Sequence, residues 1–258
     1  MTKIIFGPSG LGPVKDASKM LESFKKQGIL ACEVAFTYGV YMKKPDAIEI
    51  GNKAKELGII LTIHAPYFIN LNSEDPEKIN ASKKRILDCC EIGCCLQAKR
   101  VIFHAGFYGK NKENAYQTIK DNILDLLKTL KKNKWDIELC PEVMGKKNVF
   151  GSIDEISQLV NETGCGCCID FAHILARYGE RKFPEAKKAF TNRDWHVHFS
   201  GINYGDKGEK NHIPTDKKEW EELFKFFKSL NKEIILICEA PDPLGDAIKG
   251  MKIWEKLD

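Results

Sequence analysis

Imidazole and carboxylate side chains follow the apolar segments of this 258-residue chain at recurring points. In CCIDFAH, residues 167–173, a short apolar run ends on Asp170, and His173 comes three residues later. Six similar side chains end or follow other apolar runs: His64, His104, Glu142, His198, His212 and Glu239. Mixed imidazole and carboxylate ligands suit Zn²⁺ or Mn²⁺ better than Mg²⁺ or Ca²⁺, which prefer oxygen. The pattern predicts a metal site, provided that these segment ends meet in space.

The size of this set argues against simple packing. The chain has six His, and five of them fall at these positions. Carboxylates gathered in a pocket repel one another and lose hydration, so they need a compensating cation. One catalytic metal takes about three protein ligands. The set therefore predicts two metals about 3.5–4 Å apart that share a carboxylate and a bridging water, an arrangement suited to phosphoryl displacement.

The elements that must position these residues alternate along the whole chain. Short apolar runs rich in β-formers occupy residues 3–6, 31–36, 59–63, 100–103, 136–139, 167–169, 195–199 and 233–238. Helical patterns separate them, and one opens with a Ser152–Glu155 capping box and ends on Gly164. Eight βα units in about 250 residues predict a closed (β/α)₈ TIM barrel, an α/β fold, as a single domain over residues 1–258. The carboxyl ends of its strands would meet at one rim.

One His lies inside a predicted strand rather than at its end. We expect His196, two residues before His198, to face away from it, so that replacing His196 leaves metal binding intact.

Composition limits the class of protein. A net charge of +4 and 43% hydrophobic residues are typical of a soluble, mildly basic chain. The sequence lacks an apolar run of roughly 18 residues, and its start, MTKIIFGPSG, is too short for a secretory core. We therefore expect a cytoplasmic protein without membrane association. Its ten Cys include adjacent pairs, which favours buried free thiols over disulfides.

Six segments together resemble the endonuclease IV family of apurinic/apyrimidinic endonucleases, from the first strand to the last. They are TIHAPYFINL, VIFHAGF, PEVMGK, CIDFAH, HVHFSG and ICEAPDP. The resemblance implies a TIM barrel that cleaves DNA 5′ to abasic sites through a metal-bridged hydroxide. The implied partner is double-stranded DNA with an abasic site, and we expect the protein to be a monomer.

The resemblance also implies a role for each residue. Glu142 would bridge two metals, and His64 and His104 would be the other ligands of one of them. Asp170, His198 and Glu239 would hold the neighbouring metal, and His173 and His212 would belong to a third. The implied cofactor is two or three Zn²⁺ ions, with Mn²⁺ as an alternative, and the implied catalytic residues are Glu142 and Glu239.

Two loops depart from the family pattern. The third metal normally takes an Asp two residues before the position of His212, where this chain has Lys210. Either Glu209 substitutes for that Asp through a shifted loop, or Lys210 binds phosphate there. The loop after the second strand reads TYGVYMKKP, in which Tyr38 and Tyr41 would stack in the gap left by a missing base or cover the barrel mouth.

A second class fits part of the same set. Sugar isomerases and epimerases that resemble xylose isomerase hold one metal with Glu, Asp, His and Glu from the last four strands. Glu142, Asp170, His198 and Glu239 satisfy that pattern, with the two glutamates as acid and base. His64 and His104 are not needed by a one-metal isomerase and favour the nuclease. Another metal-dependent hydrolase acting on phosphodiesters or phosphosugars is a third hypothesis.

Overall fold

Eight parallel strands form a closed barrel in the computed structural model, which describes residues 1–110 and 112–257. The barrel strands are β1 (Lys3–Pro8), β2 (Ala31–Ala35), β3 (Ile60–His64), β4 (Arg100–Phe103), β5 (Glu138–Pro141), β6 (Cys168–Asp170), β7 (Trp195–Phe199) and β10 (Glu233–Cys238). Two further strands, β8 (Gly201–Gly205) and β9 (Gly208–Ile213), lie between β7 and β10 in the chain and are not part of the barrel. The predicted TIM barrel is confirmed, and the bounds of its strands lie within two residues of the prediction.

The barrel consists of two four-stranded sheets that are joined at each edge by a single parallel bridge. Strands β2 to β5 form one parallel sheet in chain order, and β1, β10, β7 and β6 form the other. Parallel bridges join Ser9 to Glu33 and Glu142 to Cys168, which links β1 to β2 and β5 to β6. Closure brings the carboxyl ends of all eight strands to one rim.

Helices cover the outside of the barrel. Those in the described residues are α1 (Ala17–Lys26), α2 (Lys44–Leu57), α3 (Pro76–Cys95), α4 (Ala115–Asn133), α5 (Ile153–Thr163), α6 (Phe171–Tyr178), α7 (Phe183–Ala189), α8 (Lys217–Phe227) and α9 (Pro243–Trp254). In α4 the residues Ile119, Ile123, Leu126 and Leu130 are buried, a spacing that gives one apolar stripe facing the sheet. The predicted capping box of α5 is present, and Gly164 ends that helix in a left-handed conformation.

Two elements at the rim were missed by the sequence prediction. The helix α6 starts directly after Asp170, so two helices rather than one connect β6 to β7. The segment after β7, predicted as a loop, is the antiparallel hairpin of β8 and β9. Most of its residues are exposed or only partly buried and carry little apolar alternation, so the usual strand signal is weak.

The cysteines are free thiols, as the sequence predicts. Eight of the ten are buried, and burial raises the pKa of Cys140 and Cys168 well above the ordinary value. Within residues 1–110 and 112–257, no helix combines the length and apolar character that crossing a membrane would need.

Candidate metal centre

A buried carboxylate surrounded by imidazoles occupies the centre of the rim. Glu142 follows β5 and is 1% exposed. Its Oε2 lies 3.3 Å from His64 Nε2 and 3.1 Å from His104 Nε2. Its Oε1 lies 3.1 Å from His173 Nδ1 and 3.3 Å from His198 Nδ1. Burial alone would raise the pKa of Glu142, but these four imidazoles hold it well below its ordinary value.

The segment CCIDFAH brings a carboxylate and an imidazole to this centre by joining a strand directly to a helix. Asp170 ends β6 and is the N-cap of α6, where its Oδ1 accepts a 2.7 Å hydrogen bond from His173 N. Its Oδ2 is buried 3.2 Å from His173 Nδ1 and has no hydrogen-bond partner within the described part of the chain. Burial raises the pKa of Asp170 to about 6, with a further contribution from the negative charges of Glu142 and Glu239. A buried, unpartnered carboxylate oxygen among other carboxylates is a position that a cation would stabilise.

The β8–β9 hairpin supplies the outermost ligand-type residues. His212 Nδ1 lies 2.6 Å from Ser200 Oγ, and the His212 ring centre lies 5.5 Å from that of His173. Glu209 Oε2 lies 3.4 Å from His173 Nε2. The hairpin therefore brings Glu209, not Lys210, to the two imidazoles.

A β-bulge explains why Glu209 takes this place. Tyr204 pairs with Glu209 and Asn203 pairs with Asn211, so Lys210 is an extra residue in its strand. The extra residue reverses the alternation of side chains, and Glu209 and His212 come to the same face although they are three residues apart. Lys210 lies against Gly205 and does not line the cavity that Glu209 shares with His173 and His212. The structure thus favours the alternative in which Glu209 substitutes for the Asp over the one in which Lys210 fills the third site.

The eight residues predicted as metal ligands, with Glu209 in addition, form three compact groups in the described part of the chain. Within each group, one nitrogen or oxygen atom per residue lies within 4.8 Å of those of the others. The groups are His64, His104 and Glu142; Glu142, Asp170, His198 and Glu239; and His173, Glu209 and His212. The nitrogen and oxygen donors and the unpartnered oxygen of Asp170 fit divalent metals such as Zn²⁺ or Mn²⁺.

A cavity of about 330 Å³ opens beside these groups. Tyr67, Phe107 and Lys146 line it together with six of the ligand-type residues. Tyr67 and Phe107 were missed by the sequence prediction, although each comes three residues after a strand-end His. The Tyr67 ring centre lies 5.4 Å from that of His104. These partly exposed aromatic rings and one ammonium group face the space in front of the candidate metal groups.

The two tyrosines predicted to bind substrate do not line this cavity. Tyr38 is 84% exposed, and its ring centre lies 6.3 Å from that of Phe68, which is also exposed. Tyr41 packs edge-on against the buried Phe36 at 5.1 Å. Tyr38 therefore belongs to an exposed aromatic pair near the barrel mouth, whereas the half-exposed Tyr41 contacts the core through Phe36.

The prediction that His196 faces away from His198 was wrong. Successive side chains alternate between the faces of a strand, so residues two apart share a face. His196 and His198 both point into the barrel, with ring centres 5.2 Å apart. Both contact Glu33, a fully buried residue of β2 that the sequence prediction missed.

Comparison with known proteins places the chain in a family. The model of the xylose isomerase-like TIM barrel family matches residues 21–257, so the chain belongs to that family. The uncharacterized protein MJ0133 of Methanocaldococcus jannaschii is 34% identical over 98% of both chains. A probable endonuclease 4 of Carboxydothermus hydrogenoformans is 29% identical over 76% of each. The resemblance predicted from the six segments is confirmed.

Solved structures share the fold at low sequence identity. Endonuclease IV from Thermus thermophilus superposes with a TM-score of 0.76 at 18% identity, covering 99% of this chain and 100% of that one. A D-psicose 3-epimerase superposes with a TM-score of 0.66 at 19% identity, covering 96% of this chain and 89% of that one. The fold is thus common to nucleases and to sugar epimerases, and only the site distinguishes them.

Replacing Glu142 tests whether its carboxylate is a ligand in two of the metal groups. Because Glu142 belongs to two of the three groups, Glu142→Gln is expected to lose the metal ions of both and to keep that of the third. Metal analysis after desalting measures the loss, and circular dichroism checks the fold. Glu138→Gln, at the other end of β5, is the matched control. A Glu142→Gln protein with the metal content of the parent would contradict the shared role.

Replacing Glu209 tests the bulge. Glu209→Gln is expected to lower the metal content by the outermost ion, because it removes the charged ligand beside His173 and His212. Lys210→Gln, one residue away but directed elsewhere, is expected to retain full content. Equal metal content in the two variants would show that Glu209 is not a ligand.

Proposed function

We propose that this protein is a metal-dependent phosphodiesterase that cleaves DNA 5′ to abasic sites. The observation that carries the proposal is the number of ligand groups around Glu142. A one-metal isomerase needs only the group of Glu142, Asp170, His198 and Glu239, yet two further groups lie beside it. Relatives named as probable endonuclease 4 support the same proposal.

The position of each side chain in the three groups indicates whether it would hold metal ions or contact the substrate. Glu142 would hold two ions at once, since its two oxygens face different imidazole pairs. Glu239 and His212 are partly exposed at the cavity, with side chains 15% and 24% exposed, and would meet the scissile phosphodiester. When bound, divalent metal ions lower the pKa of water and stabilise the negative charge of a phosphodiester.

The surroundings of the cavity suit a damaged DNA strand. The ammonium group of Lys146 would attract a backbone phosphate beside the metal groups. Tyr67 and Phe107 would offer ring faces to the sugar that lacks a base. The exposed Tyr38 and Phe68 would stack on bases next to the lesion, since stacking on aromatic side chains is tolerant of sequence.

A sugar epimerase or isomerase is the second candidate, because one group matches its metal pattern. Glu142, Asp170, His198 and Glu239 lie together as a one-metal enzyme requires, and D-psicose 3-epimerase shares the fold. In that enzyme Glu142 and Glu239 would exchange a proton with the sugar. His64 and His104 would then bind substrate rather than a metal.

Incision of a labelled duplex tests the proposal. The protein loaded with Zn²⁺ or Mn²⁺ is expected to cut an oligonucleotide duplex immediately 5′ to a single abasic site. The intact duplex and the Glu142→Gln variant should remain uncut, and a chelator should stop the reaction. Product length on a sequencing gel locates the cut.

One outcome of these experiments would favour the epimerase over the nuclease. A protein that binds one metal ion, leaves the abasic duplex intact and interconverts ketoses would contradict the nuclease and support the epimerase. Both assays use the same preparation, so inactive protein would be recognised by its metal content.

A further inference from the structure

A second carboxylate lies below the metal groups, in the interior of the barrel. Glu33 on β2 is fully buried. Its Oε1 lies 3.0 Å from His198 Nε2, and its Oε2 lies 3.1 Å from His196 Nε2. Its Oε2 also accepts a hydrogen bond from Thr62 Oγ1 at 3.0 Å. Two imidazole nitrogens and one hydroxyl group from two other strands thus converge on one carboxylate.

Glu33 faces one of the two ring nitrogens of His198. Glu33 Oε1 and His198 Nε2 are both buried, lie 3.0 Å apart and have no hydrogen-bond partner among the described residues. A carboxylate accepts hydrogen bonds, and a neutral imidazole has one N–H group. A proton on Nε2 would therefore satisfy both atoms and leave Nδ1 as a lone pair.

The other ring nitrogen of His198 faces the metal groups. His198 Nδ1 lies 3.3 Å from Glu142 Oε1 and 3.5 Å from Glu239 Oε1. Nδ1 can bind a metal only through its lone pair, which requires the single proton of the neutral ring to lie on Nε2. The ring orientation that places Nε2 beside Glu33 is thus the orientation that a metal ligand needs.

We propose that Glu33 is a positioning residue that holds His198 in the tautomer and orientation in which Nδ1 binds the metal of the Glu142, Asp170, His198 and Glu239 group. Metal-bound imidazoles commonly donate their other N–H to a carboxylate, which orients the ring and raises its basicity. The inference rests on the metal binding in the proposed function and does not depend on DNA as the substrate.

His196 and Thr62 complete this arrangement through hydrogen bonds to the other oxygen of Glu33, Oε2. A buried carboxylate is costly unless its lone pairs are satisfied, and water does not reach this fully buried side chain. Cys168 and the two histidines also form a compact group. His196 Nε2, however, is directed to Glu33 Oε2 at 3.1 Å, so we assign His196 to the support of Glu33 rather than to a further ion.

The substitution Glu33→Gln tests the proposal with little change in volume. The amide offers an N–H₂ group to one imidazole, so it no longer accepts from both. We expect the affinity of one metal site to fall about 10- to 100-fold, measured by chelator competition with Zn²⁺. The visible absorption of the Co²⁺-loaded protein should change, and ¹⁵N NMR should show loss of the Nε2–H tautomer of His198. Glu138→Gln, a carboxylate on the far side of the barrel paired with Arg100, should match the parent.

Other outcomes would overturn the proposal. Parental Zn²⁺ affinity and Co²⁺ spectrum in Glu33→Gln would do so, and so would loss of a metal equivalent in His196→Gln, since His196 would then be a ligand itself. If Glu33→Gln does not fold, the double variant Glu33→Leu, His196→Leu removes both buried polar groups. It should show the same loss of affinity, and parental affinity there would again contradict the proposal.

The two proposals fail in different ways. A parent protein that binds metal but leaves abasic DNA intact would refute the nuclease and leave the role of Glu33 standing. Parental metal affinity in Glu33→Gln would refute that role and leave the nuclease untouched.

Discussion

The structure depends on a single electrostatic constraint at the rim of the barrel. Glu142 and Asp170 are buried, and the partly exposed Glu239 lies beside them, so these carboxylates lose hydration energy and repel one another when ionised. Imidazoles alone relieve part of this repulsion at Glu142, but Asp170 Oδ2 has no hydrogen-bond partner among the described residues. A divalent cation satisfies such a set of donors, so metal binding is the property on which the proposed chemistry depends.

The barrel meets this constraint through strand register and local breaks in regular structure. Parallel pairing sets Asp170 of β6 opposite His198 of β7, so two ligand-type side chains reach the rim at one level. The direct passage from β6 into α6 adds His173 one turn later. The bulge at Lys210 turns Glu209 inward beside His212. Below them Glu33 spans the interior, so the orientation of His198 is set from outside the metal groups.

The sequence predicts those features that depend on neighbouring residues. The barrel strands follow from apolar runs, and the strand-end positions of His64 and Asp170 follow from where those runs stop. Features that depend on partners far along the chain escaped prediction. Glu33 is separated by 163 residues from His196, and a Glu in an apolar strand does not reveal its partner. The sequence left open whether Glu209 or Lys210 takes the third site, because hairpin pairing rather than composition decides which residue is extra.

Anomalous diffraction from crystals of the Zn²⁺-loaded protein tests metal binding most directly. Data collected on both sides of the zinc absorption edge locate each bound ion without reference to activity. We expect separate peaks within bonding distance of each of the three ligand groups, with the oxygens of Glu142 shared between two of them. A single peak at Glu142, Asp170, His198 and Glu239, with His64 and His104 unbound, would contradict the multi-metal centre and favour the one-metal enzyme.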